Sequence, residues 1–441
     1  VRTVDLSRRQ LVLLLGAAAG GPLFGGCASS PVSGQSILVG MSEDDEIRAD
    51  RRAAPHQFSR DLGAVQDAGV NRYVTEVGQS LASRSHRPNL PYNYRALNAN
   101  YVNAYTFPAG SIGVTRGILL DLDDEAELAA LLGHEIGHVN ARHAAQRQGQ
   151  AMAAQIAVAS AAIAGEMRYG GGTGLLVGMA GQVGSSALLA SYSRDNEREA
   201  DSLGVEYMTR AGYPADGMAG LMRTLTSEGR SRPGLVETMF SSHPMSEERL
   251  RNAEQAAAAR RGTSPGADPK RLRERYLDAT APVRALRPTI EGCQRGELAA
   301  GKRNLPEAEG HLKTALAAAP RDYAANVLMA KVLLSARRAG EAQRFLDTAK
   351  AVYPSEAQAL RLSGANQVAA GRYAQGLADL DRTEQLLPGD PGIAFLKGLA
   401  YEQLGDRPAA ATQYRRYVQA VPSGELAQSA TQRLRQWGAP R

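Results

Sequence analysis

Four prolines, Pro320, Pro354, Pro388 and Pro422, stand 34 residues apart, and other positions keep the same step. Small residues recur at Gly296, Ala330, Gly364 and Gly398 and again at Ala308, Ala342, Gly376 and Ala410, with larger ones at Leu312, Leu346, Leu380 and Tyr414. A chain held to this interval folds as stacked helix-turn-helix units, because one unit cannot bury its own apolar face and needs neighbours to cover it. The register predicts four units over 289–424, beginning near Thr289, Tyr323, Ala357 and Pro391, then a capping helix and tail over 425–441. The first unit matches least well.

This period is that of tetratricopeptide repeats, whose curved stacks bind peptides or partner proteins on the concave face. Aromatic residues make up only 5% of the chain, which favours a mainly α fold over an all-β one. At 441 residues there is room for a further domain ahead of the repeats. The net charge of +6 is a mild excess and no basic run interleaved with aromatics occurs, so no nucleic acid is expected as a partner. Two cysteines, Cys27 and Cys293, make no disulfide framework.

The candidate chemistry is concentrated in His134-Glu135-Ile136-Gly137-His138. Histidines four apart stand one above the other on a helical face and can share one Zn²⁺, while the carboxylate between them is placed to act as a base. That is the chemistry of a metalloprotease, with Glu135 as general base. Asp124 and Glu127 read as a capping box opening the helix, and Ala129, Leu132, Ile136 and Val139 give it a core stripe.

Zinc needs a third protein ligand. The positions three and six after His138 are Ala141 and Ala144, with His143 one residue out of step, so a third histidine in the metzincin spacing fails. A carboxylate from a later helix is the other common solution. Glu197 and Asp201 lie four apart on one predicted helical face, so the first can bind metal while the second orients a ligand histidine; Glu199 falls on another face.

These residues occur as His-Glu-Ile-Gly-His, then Ser-Arg-x-x-Glu-x-x-Ala-Asp from Ser193 to Asp201, then Ser242-His243-Pro244 with Arg249 beyond it. Asn103-Ala104-Tyr105, Pro108-Ala109-Gly110 and Val114-Thr115-Arg116-Gly117 precede them. Over roughly residues 31 to 255 this order resembles the zinc metallopeptidase family that includes the CAAX prenyl proteases and the bacterial beta-barrel assembly-enhancing protease. The resemblance implies a zincin-type domain with a small β-sheet, ligands His134, His138 and Glu197, Glu135 as base and Asp201 behind the ligands. It also implies that His243 lies close to the metal, either as a fourth ligand that keeps the enzyme latent or as a donor to the oxyanion, with Arg249 supporting the site or the oxyanion.

Residues 1–26 read as a lipoprotein-type signal, in which Arg8-Arg9 precede an apolar run, Leu11 to Ala19, too short to span a bilayer. Phe24-Gly25-Gly26-Cys27 resembles a lipobox, which would make Cys27 a lipidated anchor in the outer membrane. Residues 27–42 read as a tether, 43–255 as the peptidase domain and 256–288 as a linker. Asn98 to Thr115 reads as strand, with Ile112 and Val114 alternating; if it lies at a sheet edge beside the zinc, it would pair with an extended substrate. Ala151 to Met167 and Thr173 to Ala190 are apolar, but Gln155, Glu166 and Gln182 interrupt them, so they read as amphipathic or buried helices.

The resemblance thus implies a periplasmic endopeptidase that degrades misassembled envelope proteins, its repeats contacting substrate or the barrel assembly machinery. The alternative is a latent protease that works mainly as a chaperone or adaptor through the repeats.

Overall fold

Two regions, each with its own apolar core, follow one another along the chain. The structure is a computed structural model, and it describes residues 26–153, 191–260 and 271–438. The expected signal and most of the two apolar stretches after the histidine motif lie outside these residues. No helix among the described residues is long and apolar enough to cross a membrane.

The stretch expected to be a tether is folded. Strand β1 (Cys27–Ser29) pairs antiparallel with β2 (Ser36–Leu38), and the Ser30 hydroxyl accepts from the amides of Val32 and Ser33 in the turn. Val39 and Met41 then share a core with Leu97, Tyr105 and Phe107, and burial of this apolar pair outweighs the Pro, Ser and Gly content that suggested a loose segment. Helix α1 (Glu43–Arg60) opens on a capping box between Ser42 and Asp45, and α2 (Ala68–Ala82) follows.

Strands β3 (Asn93–Leu97), β4 (Ala104–Thr106) and β5 (Ser111–Thr115) form a sheet in the order β3-β5-β4, with β5 parallel to β3 and antiparallel to β4. Strand β5 carries Ile112 and Val114 but is central and buried along its whole length. It therefore has no free edge to offer a substrate, and within the stretch 98–115 the edge falls to β4 instead. Strand β4 packs on the helix of the histidine motif.

Helix α3 (Arg116–Asp121) leads into α4 (Glu125–Asn140), the histidine-motif helix, every residue of which is buried. The Asp124 carboxylate caps it by accepting from the Glu127 amide, while Glu127 bonds back to the Asp123 amide, so only half of the expected capping box forms. Helix α5 (Arg194–Arg210) crosses α4 at backbone contact. A Cβ on Gly137 would lie 2.8 Å from the Ala200 carbonyl oxygen, so this motif glycine sets how closely the two helices approach. Helices α6 (Asp216–Ser231), α7 (Pro233–Ser242) and α8 (Glu247–Arg260) continue the region.

Helix α9 (Arg273–Ala285) falls in the expected linker, yet its Tyr276 and Val283 are buried in the first core. Electrostatics explain the docking. Arg271 pairs with Asp124 and with Asp216 at 2.8 Å, and Arg275 reaches Glu125 at 2.8 Å, so guanidinium groups offset the acidic start of α4. Buried Glu125 also accepts from the hydroxyls of Tyr73 and Tyr213.

The repeat region consists of helix pairs α10 (Arg287–Gly301) and α11 (Leu305–Ala318), α12 (Tyr323–Ser335) and α13 (Ala339–Val352), α14 (Ala357–Ala369) and α15 (Tyr373–Leu386), α16 (Pro391–Gln403) and α17 (Arg407–Ala420), closed by α18 (Glu425–Gln436). Within pairs the small positions face the large ones: a Cβ on Gly364 or Gly398 would lie 2.7 Å from Leu380 or Tyr414. The turn between helices puts one residue per unit in the left-handed region, Arg303, Arg337, Gly371 and Gly405.

Arg116, from the Val-Thr-Arg-Gly motif, joins the two regions. It is buried, places Nη1 and Nη2 2.7 and 3.1 Å from the Asp322 carboxylate, and donates from Nε to Asn100 Oδ1 at 2.9 Å. Asp322 in turn caps α12 by accepting from the Ala325 amide.

Candidate metal centre

One helical turn separates His134 from His138, so both imidazoles project from the same side of α4, toward α5. From α5 come Glu197 and Asp201, again one turn apart, and His243 enters at the C-terminus of α7. One ligand atom from each of His134, His138, Glu197 and His243 lies within 4.8 Å of all the others, and all four residues are buried.

The separations suit a single tetrahedral ion. Zn–N and Zn–O distances near 2.0 to 2.1 Å put neighbouring ligand atoms about 3.3 Å apart. Here His134 Nε2 is 3.1 Å from His138 Nε2 and 3.2 Å from His243 Nδ1. Glu197 Oε1 is 3.3 Å from His138 Nε2 and 3.0 Å from His243 Nδ1, and Glu197 Oε2 is 3.6 Å from His134 Nε2.

Outer partners fix which nitrogens are free. Asp201 accepts from Arg249 Nε and Nη2 at 2.7 Å each, so as an ionised acceptor it takes the proton on His134 Nδ1 at 2.9 Å and leaves a lone pair on Nε2. His138 Nδ1 meets His143 Nδ1 at 2.8 Å, and His143 Nε2 meets Glu199 Oε2 at 3.1 Å. Because Glu199 can only accept, His143 carries its proton on Nε2 and receives one from His138, whose Nε2 is then also a lone pair. Two lone pairs facing each other at 3.1 Å call for a cation between them.

The two motif imidazoles differ in charge preference. Burial pushes His138 well below the usual imidazole range, keeping it neutral, whereas at His134 burial is outweighed by the Glu197 and Asp201 carboxylates, which push the imidazole up. Burial, the largest influence on Glu197, would raise its carboxyl, but His134, His138 and His243 outweigh it and hold the group far below the carboxylate range. Arg249 Nη1 adds an ion pair to Glu197 Oε2 at 2.7 Å without hydrogen-bond geometry, and donates to the Pro244 carbonyl at 3.0 Å. Glu135 is the exception. It is completely buried, neither carboxylate oxygen has a hydrogen-bond partner, and burial pushes its carboxyl up. The His243 ring faces it, with Nε2 3.7 Å from Oε1.

Residues 68–257 match the profile of peptidase family M48, and 299–364 match that of the tetratricopeptide repeat. The chain carries a family M48 peptidase domain followed by tetratricopeptide repeats. Relatives of this M48 domain include the putative beta-barrel assembly-enhancing protease of Vibrio cholerae, 29% identical over 44% of this chain and 40% of that protein. The beta-barrel assembly-enhancing protease of Escherichia coli is 28% identical over 54% of this chain and 47% of its own length. Metalloprotease YcaL of Escherichia coli is 26% identical over 54% of this chain and 94% of its own length. The chain spans about half the length of the assembly-enhancing proteases it matches.

In the M48 domain every ligand candidate read from the sequence comes together, with Glu135 and Asp201 beside them. What the sequence reading missed is the outer chain from His138 through His143 to Glu199, and Tyr192, whose ring stacks on His138 with centroids 3.8 Å apart. Burial pushes the Tyr192 phenol up to about 12, so it stays neutral there. His143→Ala removes the acceptor that fixes the His138 tautomer, and loss of such outer partners weakens metal affinity by about 10- to 100-fold. Chelator competition for zinc checks this; an unchanged affinity would show that the relay does not orient His138.

Proposed function

We propose that the protein is a zinc-dependent endopeptidase of the bacterial cell envelope. The observation that carries this reading is the convergence of His134, His138, Glu197 and His243 beside the unpartnered carboxylate of Glu135. His134, His138 and Glu197 would hold the metal; Asp201 orients His134, and Arg249 braces Asp201 and Glu197. All three Arg249 nitrogens are engaged in this bracing, which favours site support over contact with an oxyanion. A bound Zn²⁺ supplies Lewis acidity toward a peptide carbonyl and toward water. Glu135 accepts the proton of the attacking water and passes it to the leaving amine.

His243 keeps the resting enzyme latent. A fourth protein ligand fills the position that catalysis needs open, and its other nitrogen faces the base. The kinship with assembly-enhancing proteases supports a periplasmic site of action, misassembled outer-membrane or periplasmic proteins as substrates, and contact of the repeats with those clients or with the barrel assembly machinery. Cys27, an exposed free thiol, is the proposed lipid anchor to the outer membrane. The same closed geometry at His243 favours a second reading, a latent enzyme acting mainly as a chaperone or adaptor.

Purified protein should contain one zinc per chain and cleave unfolded casein, and Glu197→Ala should lose both. Wild type without zinc, or a Glu197→Ala variant that retains it, would overturn the ligand set. His243→Ala should raise casein cleavage severalfold. An inactive His243→Ala variant with zinc bound would assign that residue to the oxyanion instead.

A further inference from the structure

Away from the metal centre, a cleft of about 590 Å³ lies between α1 and the first helices of the second, third and fourth repeat units. Its volume is in the range of ligand clefts. Arg52, His56 and Arg60 line it from α1, Lys331 from α12 and Arg361 from α14. The one acid among its lining residues is Asp390, which is already committed: it accepts from Arg361 Nε at 2.6 Å and caps α16 through the Gly392 amide at 2.8 Å.

Among the described residues, Arg52, His56, Arg60 and Lys331 have no side-chain hydrogen bond or ion pair. Lys331 is the most telling of them. Burial pushes its ammonium below the ordinary lysine range, and Glu297 and Asp61, the acids that pull the other way, act from beyond ion-pair distance. Those two acids are occupied elsewhere, Glu297 by Asn100 and Asp61 by Tyr101 and Tyr105. A half-buried cation without a counterion, beside two exposed guanidinium groups, makes a site where a carboxylate lowers the free energy of every group around it.

Apolar side chains, Leu362, Leu387 and Ile393 among them, share the lining with these charges. An extended polypeptide suits such a mixed cleft, and a membrane surface does not: the exposed large hydrophobics among the described residues are Leu38, Leu404 and Leu426, none of which lines it.

We propose that the cleft between α1 and the repeats binds an extended, acidic peptide segment of a partner protein. This rests on the proposed contact of the repeats with partner proteins and names the chemistry they recognise; it is independent of cleavage, since the cleft shares no residue with the metal centre. Because α1 belongs to the first region, the site exists only while the repeats are docked against it.

The test uses the full chain carrying Glu135→Gln, so that the probe stays intact. Fluorescence anisotropy follows a dye-labelled peptide rich in Asp and Glu, its Asn and Gln counterpart, and phosphatidylglycerol vesicles as competitor. The acidic peptide should bind with an affinity that falls as salt rises, and the neutral one at least about tenfold more weakly. Exchanging both exposed arginines, Arg52→Gln with Arg60→Gln, should weaken the acidic peptide by at least about tenfold, and Lys331→Gln should do the same from the buried side. Equal affinity for the neutral peptide, unchanged binding in the double variant, or capture of vesicles without capture of the acidic peptide would each overturn the proposal.

Discussion

Glu135→Gln is expected to abolish casein cleavage, by about 10²- to 10⁴-fold, while the protein keeps its zinc and its fold. Gln has the same shape and loses only the ability to take a proton. Neither oxygen of Glu135 makes a hydrogen bond, so the exchange breaks no structural contact. It also removes a fully buried carboxyl whose charged form burial disfavours, and thermal stability should therefore hold or rise. Zinc content, melting temperature and casein turnover on the same preparation give the three readouts together. Cleavage at the wild-type rate would remove Glu135 from the chemistry. Complementation in cells then separates the two functional readings, because a chaperone would survive this exchange and a protease would not.

Arg116→Met should destabilise the junction between the peptidase domain and the repeats by about 3 to 5 kcal/mol, because it leaves the buried carboxylate of Asp322 without its partner. Burial alone would raise the Asp322 carboxyl, and Arg116 outweighs it, holding the group below 3.8. The sign follows from a depressed folded value. The pair's contribution is complete above the unfolded value of 3.8 and is lost as the pH falls through the lower folded value. Urea titrations at neutral pH should show the variant unfolding in two separated transitions at lower midpoints, and the gap to wild type should narrow in acid. Wild-type behaviour at neutral pH would mean that the junction is held elsewhere.

The parts legible in the sequence are those set by short-range spacing. The 34-residue step survives in the structure because contacts in the repeats link one helix to the next, and a Gly at 364 or 398 faces a large residue one helix later. His134 and His138, and Glu197 and Asp201, were readable as pairs because a helical turn fixes each pair internally. How the pairs meet was not readable from spacing, since it depends on the contact of Gly137 with α5.

In the sequence His143 lies one residue out of the metzincin spacing after His138, which gives it no role there. The helix has ended before it: Arg142 takes φ of 59°, the chain reverses, and the His143 ring comes back under His138. Glu199 meets it from a different face of α5, away from the metal. The tether and the linker were misread for a related reason. Their composition looked solvated, but Val39 and Met41 are drawn into a core, and Arg271 and Arg275 are drawn to carboxylates more than a hundred residues earlier in the chain.

The docking of α9 also bears on where this protein could be divided. Beyond the end of the family signature at residue 257, the Tyr276 hydroxyl donates to the Leu119 carbonyl at 2.7 Å and Arg284 to the Leu122 carbonyl at 2.7 Å. A fragment cut at the signature would strip Glu125 of its guanidinium and leave those carbonyls bare. The packing of the first region therefore runs through α9, and any exchange of repeat arms between such proteins would have to be spliced after it.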